Sequence, residues 1–448
     1  MRSRVEFEIW FGLAAPLLLS LVVGVPRARA SLAPGDFLES ANAAEADGLL
    51  PPEVLEFYRK GEWKNRIAEW PSEATVRDPD FVEGSRRNAG RFTLNDVGGI
   101  VEKETGKQPP TIIGFPFPEI DAKDPRAGTK ILWNYFYGAY NLGNARVNVD
   151  LTWISRSGLD RKANLDTHFL IYDGQKENHR PKSNPLNLLM QVLASVTSPQ
   201  DLYGTTALTW RSRDSHKRDN VWMYVPALRR VRELSPANRS DGFLGSEITQ
   251  DDGPFFDGKP EDFAWTLSGE TEMLRLADAQ SLKGQTTITP LAEGGWQAHY
   301  ATGPFVGLED PGWKGAPWAP VAPVLAKRRM WIIEGVPKDK YYLYGKIQLH
   351  IDKENFQGAW NRKFSWSGEL LSVYTTLGYR FTTVAAPDGS KEAIWGASVA
   401  YNAAINLRKD RATVTGFPLA GRDNARNLIR IRLDPSLFDY QALQRMGK

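Results

Sequence analysis

From residue 147 onward, apolar and polar side chains alternate at period two over several short runs, the signature of strands with one face covered. Val147, Val149, Leu151 and Trp153 make one run; His168 to Tyr172, Ala207 to Arg213, Val221 to Val225 and Tyr344 to Asp352 make the others. In the last, Ile347, Leu349 and Ile351 share one face while Lys346, Gln348, His350 and Asp352 share the other. This predicts a strand buried on one side. Turn signals at Tyr172-Asp173-Gly174, Asp241-Gly242 and Asp388-Gly389 separate the runs. Ala207–Arg213 and Asp219–Val225 read as two arms of a hairpin around a polar tip, with Pro226 ending the second arm. That second arm is apolar or aromatic on both faces, so both faces are expected to be covered.

Helical spacing appears elsewhere. From Ser31 to about Trp70 the residues favour helix, with Pro34-Gly35-Asp36 as a start signal and Phe37, Leu38, Ala41 and Ala44 in phase; Pro51-Pro52 opens a second short helix through Val54, Leu55 and Tyr58. Between Pro71 and Pro125, Pro and Gly recur too often for long elements, and Gly114 to Pro118 reads as extended or turn. Lys130 to Tyr140 begins a helix, and Asn184 to Val196 (NPLNLLMQVLASV) predicts another, inserted among the strands behind Pro185. The fold class that follows is mainly β with helices (α+β): a large, curved antiparallel sheet with a few helices on its concave side. Regular strand-helix alternation and internal repeats are missing. Residues 31–130 form a helical and loop-rich region packing on the sheet, and 131–448 the sheet domain itself.

The first thirty residues change the picture. Arg2 and Arg4 precede an apolar run from Ile9 to Val25, followed by Pro26 and Ala28-Arg29-Ala30. This is the layout of a secretory signal peptide, residues 1–30, with cleavage after Ala30 and a mature chain from Ser31. An uncleaved anchor is the alternative, since the run approaches the ~17 residues that span a bilayer; Pro16 and the Ala-x-Ala site favour cleavage. Among 448 residues there is no cysteine, which removes a lipidated N-terminal Cys and any disulfide. The formal charge is +3, and the signal carries a surplus of two, leaving a near-neutral mature chain without general attraction to nucleic acid. Fifteen Trp, 15 Tyr and 20 Phe bring the aromatic share to 11%, a weight that suits apolar cavities, carbohydrate platforms or a membrane-facing rim.

The residues offer little catalytic chemistry. No Gly-x-Ser-x-Gly elbow, His-Glu-x-x-His, phosphate loop or dinucleotide fingerprint occurs. Histidines 168, 179, 216, 299 and 350 are scattered and have no cysteine to complete a zinc set, so no metal or cofactor is expected. Ser212, Asp214, Ser215 and His216 crowd the polar hairpin tip, but adjacency is not triad geometry. Asp251-Asp252 and Glu261-Asp262, near Phe255, Phe256 and Trp265, are acid pairs of the kind a glycosidase uses; solvated loop carboxylates are the plainer reading. Arg229, Arg230 and Arg232 follow Pro226, where the chain leaves the sheet, and either rim a cavity or make surface ion pairs.

Four stretches carry a family resemblance: VWMYVPALRRVREL (Val221 to Leu234), SDGFLGSEITQDD (Ser240 to Asp252), GFPFPEIDAKDPRAGTKILWN (Gly114 to Asn134) and RMWIIEGVPKDKYYLYGKIQLHID (Arg329 to Asp352). The chain resembles a domain-of-unknown-function family of exported Gram-negative proteins labelled outer-membrane lipoprotein-sorting proteins, within the LolA/LolB-like superfamily. The resemblance implies an unclosed half-barrel around helices, an apolar cavity that holds acyl chains in the carrier relatives, and an efflux-type inner-membrane transporter as partner.

The leading expectation is therefore a non-enzymatic periplasmic carrier or chaperone for a lipid or other hydrophobic molecule. Its expected cavity wall is Leu208, Trp210, Val221, Met223, Val225, Trp331, Ile347, Leu349 and Ile351, with Arg229, Arg230 and Arg232 at the rim as head-group contacts. The alternative is a periplasmic glycan-binding or glycan-cleaving protein that uses Trp platforms and the acid pairs; a third reading is an envelope assembly factor that binds only protein.

Overall fold

The period-two runs form strands, and thirteen long ones carry the fold of this computed structural model, which describes residues 32–72, 77–283, 287–299, 304–378, 384–385, 391–392, 397–416 and 427–446. The expected signal peptide lies outside these residues. The first meander comprises β1 (Ala145–Ser155), β2 (Gly158–Ile171), β3 (Leu188–Ser198), β4 (Thr206–Ser212), β5 (Asn220–Val225) and β6 (Arg230–Glu233). The second comprises β7 (Phe263–Ala277), β8 (Val324–Pro337), β9 (Lys346–Asp352), β10 (Gly358–Phe364), β11 (Leu370–Gly378), β12 (Ala397–Asn406) and β13 (Arg411–Gly416). Each strand pairs antiparallel with its sequence neighbour within a meander, and β13 pairs with β1 to join the two. The edges are thus β6 and β7. These are consecutive in sequence, so the connection 234–262 has to reach from one edge of the open sheet to the other.

That connection crosses the sheet face that also receives the main helix, Ala127–Tyr140. The longer helices are α1 (Pro52–Arg59), α2 (Pro79–Asn88), α3 (Ala127–Tyr140) and, near the C-terminus, α4 (Tyr440–Met446). Twelve of the fourteen residues of α3 are buried, which fits a segment that is apolar all round rather than on one stripe. Tyr135, Phe136 and Ile131 pack with Phe255 and Phe256 of the connection and with Ile333, Leu349 and Tyr374 of the sheet. Glu247 fixes the connection to the middle of the sheet: its N–H donates to Thr413 Oγ1 at 2.9 Å, and its carboxylate accepts from Asn406 Nδ2 at 2.7 Å.

The opposite face is covered in two places. The N-terminal residues, through Leu38, Val54, Tyr58 and Trp63, share a core with Val373, Tyr401, Ala403 and Ile405 of the second meander. Phe438 and Leu443 from the C-terminus cover Leu170, Leu193, Leu208 and Tyr224 of the first. The second meander curls until Ala277, ending β7, pairs with Gly378, ending β11.

Three expectations need correction. Asn184 to Val196 is not a helix; its apolar part is β3, paired on both sides, with Met190 and Val196 facing α3 and Leu193 facing the C-terminal segment. A strand covered on both faces reads as a continuous apolar run, which periodicity alone does not separate from a helix. The proposed first helix is instead a two-residue strand, Phe37–Leu38, and a 3₁₀ turn, Ala43–Ala46. Residues 71–125 do contain a ten-residue helix, α2, which has Pro79 in its first turn. Leu32–Lys448 forms a single compact unit, and α3 spans residue 130.

Candidate functional site

Between α3, the connection and the first meander the packing is incomplete, leaving a cavity of about 290 Å³. Its wall is the set of alternate residues that four neighbouring strands turn toward α3. β1 supplies Ala145, Val147, Val149 and Leu151; β2 Leu165, Thr167, Phe169 and Ile171; β3 Met190, Val192 and Ala194; β4 Ala207 and Thr209. Register explains the space. One cross-strand row runs Val147, Thr167, Ala194, Ala207, and the next Ala145, Phe169, Val192, Thr209, so apart from Phe169 small side chains lie where a core strand would carry large ones. Tyr135, Phe136 and Tyr140 of α3 face them, and Phe243, Ile248 and Phe256 of the connection complete the wall.

Thr167 of β2, Asn402 of β12 and Thr415 of β13 add single polar groups to the wall, and a larger polar group gathers where β4 meets the connection. Gln250 Nε2 donates to Thr209 Oγ1 at 3.0 Å. Two residues along the same face of β4, the fully buried Arg211 donates from Nη1 to Asp257 Oδ1 at 3.0 Å and from Nε to Asp219 Oδ2 at 2.9 Å. Burial opposes the Arg211 charge, yet Asp219 and Asp257 outweigh it and hold the guanidinium well above its ordinary pKa. Burial raises Asp257 above the usual carboxylate range, with Asp251 and Asp219 adding to it and Arg211 and Arg239 opposing. Desolvation likewise raises the phenols of Tyr135 and Tyr140.

Behind this layer the acid pairs singled out in the sequence are already engaged. Asp251 takes Arg239 Nε and, at 2.8 Å, Tyr342 OH. Asp252 accepts from the Thr249 N–H at 2.7 Å and pairs with Lys363 Nζ. Glu261 is buried beside Lys259, Asp219 and Asp262, and burial lifts its pKa to about 7. A glycosidase needs one carboxylate to attack or activate water and another to protonate the leaving group; here the first pair is locked in salt bridges, and in the second Glu261 is buried while Asp262 is only partly exposed. At the hairpin tip, Ser215 Oγ stands 3.4 Å from His216 Nδ1 and His216 Nε2 3.3 Å from Asp96, but His216 and Asp96 are exposed. Among the described residues there is no cluster of His, Asp or Glu suited to a metal ion, and no helix long and apolar enough to cross a membrane, which says nothing of strands.

A family model described as a protein of unknown function, DUF1329, matches residues 38–444. The chain belongs to this family. Among solved structures, it is similar to an outer membrane lipoprotein-sorting protein domain from Vibrio parahaemolyticus, at 15% identity over 72% of this chain and 100% of that one, with a TM-score of 0.43. A DUF1329 family protein from Desulfovibrio piger matches at 14% identity over 72% and 100%, TM-score 0.43, and a LolA superfamily protein from Nitrosomonas europaea at 12% over 70% and 98%, TM-score 0.38. No curated protein matches.

In this DUF1329 chain, the residues expected to wall the cavity lie elsewhere. Leu208 and Trp210 face the other way, under the C-terminal segment, where Trp210 donates from Nε1 to Phe438 O at 2.9 Å and packs edge-on against Trp222. Val221, Met223 and Val225 share the cavity face but sit one strand beyond its wall. Trp331, Ile347, Leu349 and Ile351 belong to the solid core beneath α3, in the other meander. Size misled the reading: large apolar residues mark where space is filled, whereas the cavity follows the small ones. Arg229, Arg230 and Arg232 are all exposed. Arg232 extends the row Ala194, Ala207, Met223, so it stands two strands from the wall, about 10 Å at ~4.8 Å per strand. Arg230, opposite Val225, shares that face, whereas Arg229 lies in the turn with a left-handed φ of 46°.

Proposed function

We propose that this protein is a periplasmic carrier that holds a lipid or other hydrophobic molecule in the cavity between β1–β4 and α3. One observation carries the reading: four adjacent strands turn a continuous apolar surface inward, and the opposing helix does not fill the space. Each methylene moved from water into such a site contributes about 0.8 kcal/mol, so an eight-carbon chain gains roughly 6 kcal/mol without any catalytic group. Arg230 and Arg232, on the open edge two strands from the wall, suit a head group left outside. The N-terminal pattern supports export with cleavage after Ala30, and a hydrophobic cargo makes an efflux-type transporter in the inner membrane a fitting partner.

Native mass spectrometry of protein purified from the periplasm, followed by denaturing extraction, tests this directly. A co-purifying hydrophobic molecule is expected. If extraction releases nothing and apolar fluorescent probes also fail to bind, the carrier reading is wrong.

A further inference from the structure

The ends of the cavity differ in chemistry, and this bears on which hydrophobic molecule it takes. Among the described residues of its lining, the sole charged side chain is an acid, Asp257; no Lys, Arg or His faces the space. The neighbouring cations are turned away from it. Arg211 commits its guanidinium to Asp219 and to Asp257, and Arg239 donates to Asp251 and, from Nη2, to the Asp257 carbonyl at 2.8 Å. A carboxylate or phosphate drawn inside would shed its water, find no cation, and meet the Asp257 carboxylate.

An uncharged donor finds better partners. Asp257 Oδ1 accepts from Arg211, while Oδ2 stands 3.7 Å from Arg239 Nη2, beyond hydrogen-bond length, and keeps accepting capacity. About a fifth of the Asp257 side chain remains open. Gln250, bonded through Nε2 to Thr209, still has a carbonyl oxygen to offer beside it. From these acceptors the lining runs to Leu142, Ala145, Ile171 and Ile429, which are wholly apolar.

We propose that the cavity selects an uncharged hydrophobe carrying a hydroxyl group, of the long-chain alcohol class, with the hydroxyl donating to Asp257 and the hydrocarbon lying along β1 and β2. The proposal rests on the carrier reading and narrows it: an anionic end is refused inside, whatever remains outside at the arginines.

The test is a calorimetric or probe-displacement series at pH 7.4 with 1-dodecanol, dodecanoate and dodecylammonium, each below its micellar concentration, on the full mature chain. Dodecanol is expected to bind at least tenfold more tightly than dodecanoate. Asp257→Asn should weaken dodecanol and narrow its margin over dodecanoate, and Thr209→Val, which removes no charge and cannot unbalance the arginines, should weaken dodecanol alone. Equal or tighter binding of dodecanoate or of dodecylammonium overturns the hydroxyl assignment while leaving a carrier. Failure of all three ligands to bind overturns the carrier reading itself.

Discussion

Glu261 shows how one buried group can govern the stability of the protein against pH. Its side chain is 6% exposed, Oε2 has no hydrogen-bond partner, and burial lifts its pKa from 4.5 to about 7. The folded protein therefore holds this proton more tightly than the unfolded chain does. The contribution is complete below pH 4.5 and is lost as the pH rises through 7, an effect of about 3 kcal/mol at most. His350 acts from the other side. Burial, with Arg362 nearby, lowers its pKa from 6.5 to about 4, so its contribution is present above 6.5 and is lost as the pH falls through 4. Between pH 4.5 and 6.5 the two slopes oppose one another, so thermal unfolding followed from pH 4 to 8 should show a broad plateau there and a fall as the pH rises through 7. In Glu261→Gln the alkaline limb should flatten, although Asp257 and Asp262, also raised by burial, leave part of the slope. An alkaline limb unchanged in that variant would mean that Glu261 is ionised in the fold. Asp251 belongs to a different class of residue. Changing it to Asn leaves the buried Arg239 short of its closest partner, and loss of one member of such a pair typically costs about 3 to 5 kcal/mol. Urea unfolding of Asp251→Asn should show this as a lower midpoint with the slope retained.

Two adjacent residues of β4 carry the argument to the level of the element. Ala207 faces the cavity and Leu208 faces the C-terminal helix, fully buried. Ala207→Phe should therefore abolish binding of an apolar probe with little loss of stability, since the added ring enters existing space. Leu208→Ala should cost about 2 to 5 kcal/mol and leave probe binding intact, because the void it creates lies on the far side of the sheet. The reverse pattern would put the ligand under the C-terminal segment. The same pair marks how far the sequence could be read. β9 was legible as a strand because its apolar residues alternate, although His350 and Asp352 on its polar face are buried as well, and α3 was legible as a continuous apolar run too long for a strand. β3, β4 and β5 are covered on both sides: β4 and β5 read as strands from the hairpin pattern, but β3 reads as a helix, and the inward face of none of them follows from alternation. Arg229, Arg230 and Arg232 were legible as a cluster, since three positive charges after a proline need no pairing information to be noticed. The wall was not: Val147, Val149 and Leu151 were seen to share a face, but that Ala194 and Ala207 stand beside them depends on register, which a single sequence does not reveal.

At the scale of the whole molecule, the open sheet is held from both faces by segments remote in sequence. Arg362 of β10 makes a two-bond ion pair with Glu53 of α1, at 2.6 and 3.0 Å, and Asn65 donates to the Pro320 and Pro323 carbonyls. Leu38, Val54, Tyr58 and Trp63 are buried in the core they share with the second meander. Taking away residues 32–130 would therefore expose Tyr401, Ile405 and Val373 on one face and remove the first turn of α3 from the other, where Gly128 lies close enough to the Thr266 backbone that even a Cβ would collide. No internal boundary offers a self-sufficient piece. The expected result is that mature protein unfolds in one thermal transition, with limited proteolysis yielding no stable fragment that starts near residue 131, and that a chain of 131–448 expressed alone binds hydrophobic dye and aggregates. A soluble 131–448 fragment with a cooperative transition and an intact probe site would instead show that the N-terminal region is a detachable cover, and the cavity a property of the sheet and α3 alone.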